Sequence, residues 1–129
     1  MSIWEEHRIE ERVTAILSDV HAYQPDHHFG RPYLTAYQLA IALDRIAPQA
    51  RHALGSPVGG EGIGQHDSFA QYLARELSRR IHTGSIAHIE GAFISNQHLR
   101  TIEFDAGDRV IRSSLTDSQY DLSMYRLRD

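Results

Sequence analysis

The chain has 129 residues and a mass of 14.7 kDa, which fits one domain because domains commonly contain about 100–150 residues. We therefore expect residues 1–129 to form a single domain. Hydrophobic residues make up 41% and charged residues 23% of the sequence, which excludes an intrinsically disordered, collagen-like or simple coiled-coil protein. The net charge of −4 argues against a protein whose whole surface binds nucleic acid.

The sequence contains no cysteine, and all 13 of its basic residues are arginine. These absences exclude disulfides, cysteine nucleophiles, thiolate metal sites and mechanisms that need a lysine. No run approaches the roughly 18–20 apolar residues of a membrane span, and the acidic start differs from the basic start of a signal peptide. We expect a cytoplasmic protein that does not associate with membranes.

Residues 3–23 predict an amphipathic helix, since their apolar side chains recur at helical spacing on one stripe. Ser2 and Glu5 have the spacing of a capping box at its start. Trp4 projects away from this apolar stripe. It either packs against the rest of the fold at the first turn or is an exposed aromatic side chain that binds a partner. The stripe consists of Ile9, Val13, Ile16, Leu17 and Val20.

A loop and a second helix should follow. Residues 24–32 contain two prolines and a glycine, which disfavour a helix. Thr35 and Gln38 form a second capping-box pattern, which predicts the start of a helix. Residues 36–47 are apolar on nearly every face of this helix, so we expect it to be buried at the centre of the fold. Pro48 stops this helix or starts a short further turn.

A glycine-rich stretch precedes a predicted third helix. Residues 55–64 hold five of the nine glycines. Asp67 or Ser68 should cap the helix, and Gly84 should end it in a left-handed conformation. Its apolar residues recur every fourth position, at Phe69, Leu73, Leu77 and Ile81.

The C-terminal third has the sequence pattern of β-strands separated by turns. Four strands are predicted, over residues 87–94, 99–104, 109–115 and 120–127. Residues 105–108 should form a hairpin turn, with Ile102 and Phe104 facing Val110 on a buried side. The predicted fold is α+β, with three N-terminal helices packed on a C-terminal antiparallel sheet of three or four strands.

The glycine-rich loop, residues 59–64, is one candidate site, because bare backbone amides entering a helix can bind a phosphate or carboxylate. Such a site would bind an anion or a nucleotide, and could serve an enzyme. Its spacing matches neither the dinucleotide nor the Walker pattern, and Glu61 would repel an anion, so a flexible connector is the alternative. The candidate residues are Gly60, Gly62, Gly64, Gln65, His66 and Ser68.

A nucleic-acid interface is a second hypothesis. Helices followed by a β-hairpin suit a winged helix, although about twenty residues separate the second and third helices where that motif has three or four. The candidate contacts for nucleic acid or an acidic partner are Arg75, Arg79, Arg100, Arg109 and Arg112. A solvated face is the alternative role for these arginines.

Protein–protein contact is the third hypothesis and the one we favour, because it needs no catalytic motif. The last strand could lie at an open sheet edge and pair with a partner strand, although the same side chains could fill the core. The candidate partner contacts are Trp4, Tyr120, Leu122 and Met124. We expect a small binding or accessory module that associates with another protein or with itself.

Catalytic and metal-binding signals are weak. The nine histidines follow no metal-ligand spacing, and no nucleophile elbow or paired-carboxylate pattern occurs. We therefore assign no catalytic residue, no metal and no cofactor from the sequence.

Overall fold

The computed structural model describes residues 2–59, 68–114 and 121–128. Within that part the chain is α+β, with five helices and five strands. The helices are α1 (Ile3–Glu6), α2 (Ile9–Ser18), α3 (Ala36–Ile46), α4 (Pro48–Leu54) and α5 (Phe69–Thr83). The strands are β1 (Leu34–Thr35), β2 (Ile89–Ile94), β3 (Thr101–Asp105), β4 (Val110–Ser114) and β5 (Leu122–Leu127).

The N-terminal helix is broken, so the prediction of one helix over residues 3–23 is wrong. Arg8 adopts a left-handed conformation, with φ of 53°, between α1 and α2. A left-handed residue ends the run of helical hydrogen bonds and redirects the chain. Trp4, which lay off the stripe of a continuous helix, is buried with 3% exposure.

The predicted start of α3 is confirmed. The Gln38 amide donates to Thr35 Oγ1 over 3.2 Å, and the Thr35 amide donates to Gln38 Oε1 over 2.7 Å. This reciprocal capping box satisfies two amides that the helix leaves without partners. Pro48 then occupies the first turn of α4, where its missing N–H costs no hydrogen bond.

The predicted ends of α5 are confirmed as well. Ser68 caps the helix through a hydrogen bond of 3.1 Å from the Gln71 amide to its hydroxyl oxygen. Gly84 ends it with a φ of 84°, which glycine adopts without steric cost.

The strands form two sheets, which corrects the prediction of a single sheet under three helices. One sheet has the order β1-β5-β2, and the other is the hairpin β3-β4. Leu34, next to the cap of α3, pairs with Tyr125, while Gly91 pairs with Tyr125 from the other side. The last strand is therefore central, and the expectation that it forms an open edge is wrong, because a two-residue strand far away in sequence covers one side.

The hairpin turn over residues 105–108 is confirmed, with the Ala106 amide donating to the Arg109 carbonyl over 2.9 Å. The prediction that Val110 lies on the buried face of the hairpin is wrong by one residue. Phe104 pairs with Ile111, which is fully buried, whereas Val110 pairs with Asp105 and is 58% exposed. A shift of one residue moves a side chain to the opposite face of a strand.

The core lies between α2, α3, α5 and the three-stranded sheet. Tyr125 is 1% exposed, and its hydroxyl lies 2.9 Å from Ser78 Oγ and donates to the Ala74 carbonyl over 3.1 Å. These bonds attach the central strand to α5. Arg126, the next residue, points to the opposite face of the sheet, where the loop of residues 22–33 packs.

Candidate functional site: an aromatic cleft beside the central strand

An open cleft of about 720 Å³ lies between the loop that follows α2 and the strand β5. We call it the aromatic cleft. Three aromatic side chains line it together with two arginines and one histidine. Its lining residues are Ala22, Tyr23, Gln24, His27, Phe29, Gly30, Arg31, Pro32, Tyr33 and Arg126.

Two aromatic side chains of the cleft stand in solvent. Tyr23 is fully exposed and Phe29 is 72% exposed. Phe29 meets the ring of His27 edge-on, with 4.5 Å between centroids, and His27 stacks on His28 with 4.4 Å between centroids. These rings support one another on the surface and leave the outer face of Phe29 uncovered.

Arg126 fixes the backbone beneath these aromatics. One terminal nitrogen of its guanidinium donates to the Phe29 carbonyl over 2.7 Å and to the Arg31 carbonyl over 3.0 Å. The guanidinium carbon lies 4.4 Å from the centroid of the Tyr33 ring, a cation–π contact. Arg126 Nε donates to Glu90 Oε1 over 2.9 Å, so the group that holds the loop is itself anchored to the sheet.

Arg31 fixes the loop at its other end. Its guanidinium donates to the Ser18 carbonyl over 3.2 Å and to the Val20 carbonyl over 3.1 Å. Cations at these carbonyls complement the negative end of the α2 dipole. Gly30, with φ of 81°, supplies the left-handed residue that turns the chain between Phe29 and Arg31.

The charged side chains that line the cleft are both arginines, although Glu90 pairs with one of them, Arg126. The lining residues of the cleft include the guanidinium groups of Arg31 and Arg126 and no carboxylate. The acidic side chain that pairs with Arg126, Glu90, lies outside the lining. Such a surface suits apolar side chains accompanied by a negative charge.

The glycine-rich candidate site falls largely outside the described residues, which leave out Gly60, Gly62, Gly64, Gln65 and His66. Ser68 is described and is 2% exposed. Because its hydroxyl oxygen accepts the Gln71 amide, it acts as a helix cap.

The five candidate arginines lie in two regions of the chain. Arg75 and Arg79 belong to α5, whereas Arg100, Arg109 and Arg112 belong to the β3-β4 hairpin and its flanks. Arg79 pairs with Glu76 over 2.8 Å, and Arg112 pairs with Glu103. These carboxylates offset the positive charge that a phosphate backbone would need.

The candidate partner contacts lie mainly inside the fold. Trp4 and Leu122 are 3% and 8% exposed, and Met124 is half-buried in the central strand. Tyr120 lies outside the described residues. The three described side chains therefore do not form an exposed patch.

No group of three or more His, Asp or Glu residues in the described part of the chain could hold a metal ion. None of the helices described is both long enough and apolar enough to span a membrane.

The aromatic cleft was not predicted from the sequence, because the two prolines and the glycine of its loop indicate only an irregular, non-helical segment. One signal could have found it: Tyr23, Phe29 and Tyr33 are three aromatics within a segment too irregular to bury them. Arg126, the residue that completes the site, lies almost a hundred positions away.

The chain matches no protein-family model, and no curated protein or solved structure is significantly similar to it.

Proposed function

We propose that the protein is a binding module that recognises an extended segment of a partner protein at the aromatic cleft. The recognised segment presents apolar side chains to Tyr23 and Phe29 and a carboxylate to the arginine side of the cleft. The observation that carries the proposal is the pair of exposed aromatics on a loop whose backbone is fixed by two arginines.

Fixed, exposed aromatic side chains favour binding because they bury large areas at low cost in conformational entropy. A loop that is ordered before binding also avoids part of the ordering cost of association. Exposed aromatics otherwise lower solubility, so a function is the simplest reason to keep them on the surface.

The shape of the cleft favours a polymer segment over a small metabolite. Pockets for small molecules usually bury most of the ligand surface. Here Tyr23 and Phe29 form a wall that is itself exposed, so a ligand on it would remain open to solvent on one side. An extended peptide tolerates that geometry because its backbone can continue past the site.

The test uses two synthetic peptides of the same length, each with leucine and proline residues, one flanked by glutamates and the other by lysines. We expect the acidic peptide to bind and the basic peptide to bind at least tenfold more weakly, because the lining of the cleft contains two arginines and no carboxylate. Fluorescence anisotropy of labelled peptides measures both affinities.

Phe29→Ala should weaken binding of the acidic peptide about tenfold or more, since central aromatic side chains dominate such interfaces. Val110→Ala is the matched control, because Val110 is similarly exposed but lies on the hairpin. Both substitutions should leave the melting temperature nearly unchanged, as exposed side chains contribute little to stability. Equal affinity of the Phe29→Ala variant and the wild type would rule out the cleft as the binding site.

A further inference from the structure

Strand β2 forms an edge of the three-stranded sheet and pairs with β5 on its inner side. The Arg128 amide donates to the His88 carbonyl over 2.9 Å. Since hydrogen-bonding direction alternates along an antiparallel strand, the even-numbered residues of β2 point their backbone groups to β5. The N–H and C=O groups of Gly91 and Phe93 therefore point to the outer edge, where no described strand pairs.

This edge lacks the features that usually protect one. Over its six residues β2 contains no proline, lysine or arginine, and its single charge, Glu90, is paired with Arg126 and Arg128. Phe93 is 69% exposed and Ile94 is 36% exposed. Long apolar edges without such protection are templates for another strand.

The edge is complementary to itself. Two antiparallel copies of β2 can exchange hydrogen bonds only in registers that place outward-pointing residues opposite each other. In the register centred on Ala92, Gly91 of one copy faces Phe93 of the other, and Glu90 faces Ile94, so no like charges meet.

That register leaves space for an aromatic ring beside Gly91. A cavity of about 340 Å³ lies on the α5 side of the sheet beside Gly91 and Tyr125, with Ile81 and His82 on its helical wall. Gly91 and Phe93 lie on this same face because they are two residues apart. The Tyr125 ring of the same copy already lies against Gly91, because a Cβ at that position would meet it at 3.4 Å. The Phe93 ring of a second copy would therefore enter the cavity beside the Tyr125 ring.

We propose that the protein forms a symmetric homodimer by antiparallel pairing of β2 with β2 of a second copy, centred on Ala92. The two sheets then join in the order β1-β5-β2-β2-β5-β1. The two-fold axis gives both copies the same contacts, so the interface closes at two subunits. This dimer uses the side of the molecule formed by the β2 edge and is independent of the peptide proposed for the aromatic cleft.

Sedimentation velocity from about 1 μM to about 1 mM protein tests the dimer, because this range brackets weak self-association. We expect concentration-dependent dimerisation of the wild type, and a monomer for Phe93→Lys, which places a charge in the paired edge. Val110→Lys, a control at an exposed position on β4, should dimerise like the wild type.

The absence of cysteine allows a test of the register. Ala92 would face its own copy as a non-hydrogen-bonded pair, with about 4.5 Å between Cα atoms, which lies within the range that a disulfide spans. Ala92→Cys should form a disulfide-linked dimer under mild oxidation, and Ile94→Cys, which would face Glu90, should not. A wild type that stays monomeric at all concentrations, dimerisation of Phe93→Lys at wild-type strength, or equal cross-linking of the two cysteine variants would overturn the proposal.

Discussion

Trp4 illustrates how one residue in an unusual conformation decides the environment of another. The left-handed Arg8 ends α1, and the indole ring of Trp4 then packs into the core. The guanidinium carbon of Arg80 lies 4.6 Å from the centroid of this ring, and the Tyr72 ring lies 6.5 Å away. Arg80 also pairs with Glu76 over 3.2 Å, so a charged pair covers the only tryptophan of the chain.

Tyr72 gives the protein a predicted pH dependence in alkaline solution. Burial raises the pKa of Tyr72 above its ordinary value of 10.0, and the carboxylate of Glu76 raises this pKa further. Well below pH 10 the phenol is protonated in both the folded and the unfolded state. Above that pH the unfolded state loses this proton first, so the contribution of Tyr72 to the free energy of unfolding falls as the pH rises.

Tyr72→Phe keeps the ring and removes the titrating hydroxyl. We expect the free energy of unfolding of this variant to fall less steeply between about pH 9 and about pH 11 than that of the wild type. Urea unfolding followed by tryptophan fluorescence measures the difference. Tyr23→Phe, on the fully exposed Tyr23, is the control and should follow the wild type, whereas an identical slope for Tyr72→Phe would contradict the prediction.

Among the helices and strands, the start of α3 and both ends of α5 were predictable, whereas the break at Arg8 and the strand order were not. The caps Thr35, Ser68 and Gly84 are local signals, because each acts on amides or carbonyls within a few residues of itself. The central position of β5 in its sheet depends on pairing with Leu34 on one side and Gly91 on the other. No local sequence pattern encodes this pairing, because both residues are distant from β5 in sequence. The aromatic cleft was not predicted for the same reason. Its lining includes Arg126, which is almost a hundred residues away in sequence from the loop that it contacts.

Arg126 should control the order of the loop over residues 22–33. Arg126→Ala removes the donors to the Phe29 and Arg31 carbonyls, so we expect the Gly30 amide, which donates to the His27 carbonyl, to exchange with solvent at least tenfold faster. Hydrogen exchange followed by NMR measures this rate.

Arg128→Ala is the matched control for that experiment. Arg128 contacts the same Glu90 carboxylate at 3.7 Å and is 55% exposed, so its loss should leave Gly30 exchange unchanged. If both variants accelerate exchange equally, loss of charge near Glu90 explains the effect, and Arg126 does not hold the loop.

Across the molecule, α5 packs against one face of the three-stranded sheet, and the loop of residues 22–33 contacts Arg126 on the opposite face. The aromatic cleft lies on the loop side, and the exposed edge of β2 lies at the sheet margin. Two surfaces of different chemistry thus lie on the described part of the chain. We propose that the cleft recognises a partner segment and that the edge joins two copies, so that a dimer would present two clefts and gain avidity for a repeated ligand.

The most direct test of the cleft as the binding site is an NMR titration of isotopically labelled protein with the acidic peptide. We predict that the largest shift changes occur in the amides of residues 22–33 and in the Nε–H of Arg126, with smaller changes along α5 and the hairpin. Shift changes centred on β2, or on the arginines of α5 and the hairpin, would contradict the assignment of binding to the aromatic cleft.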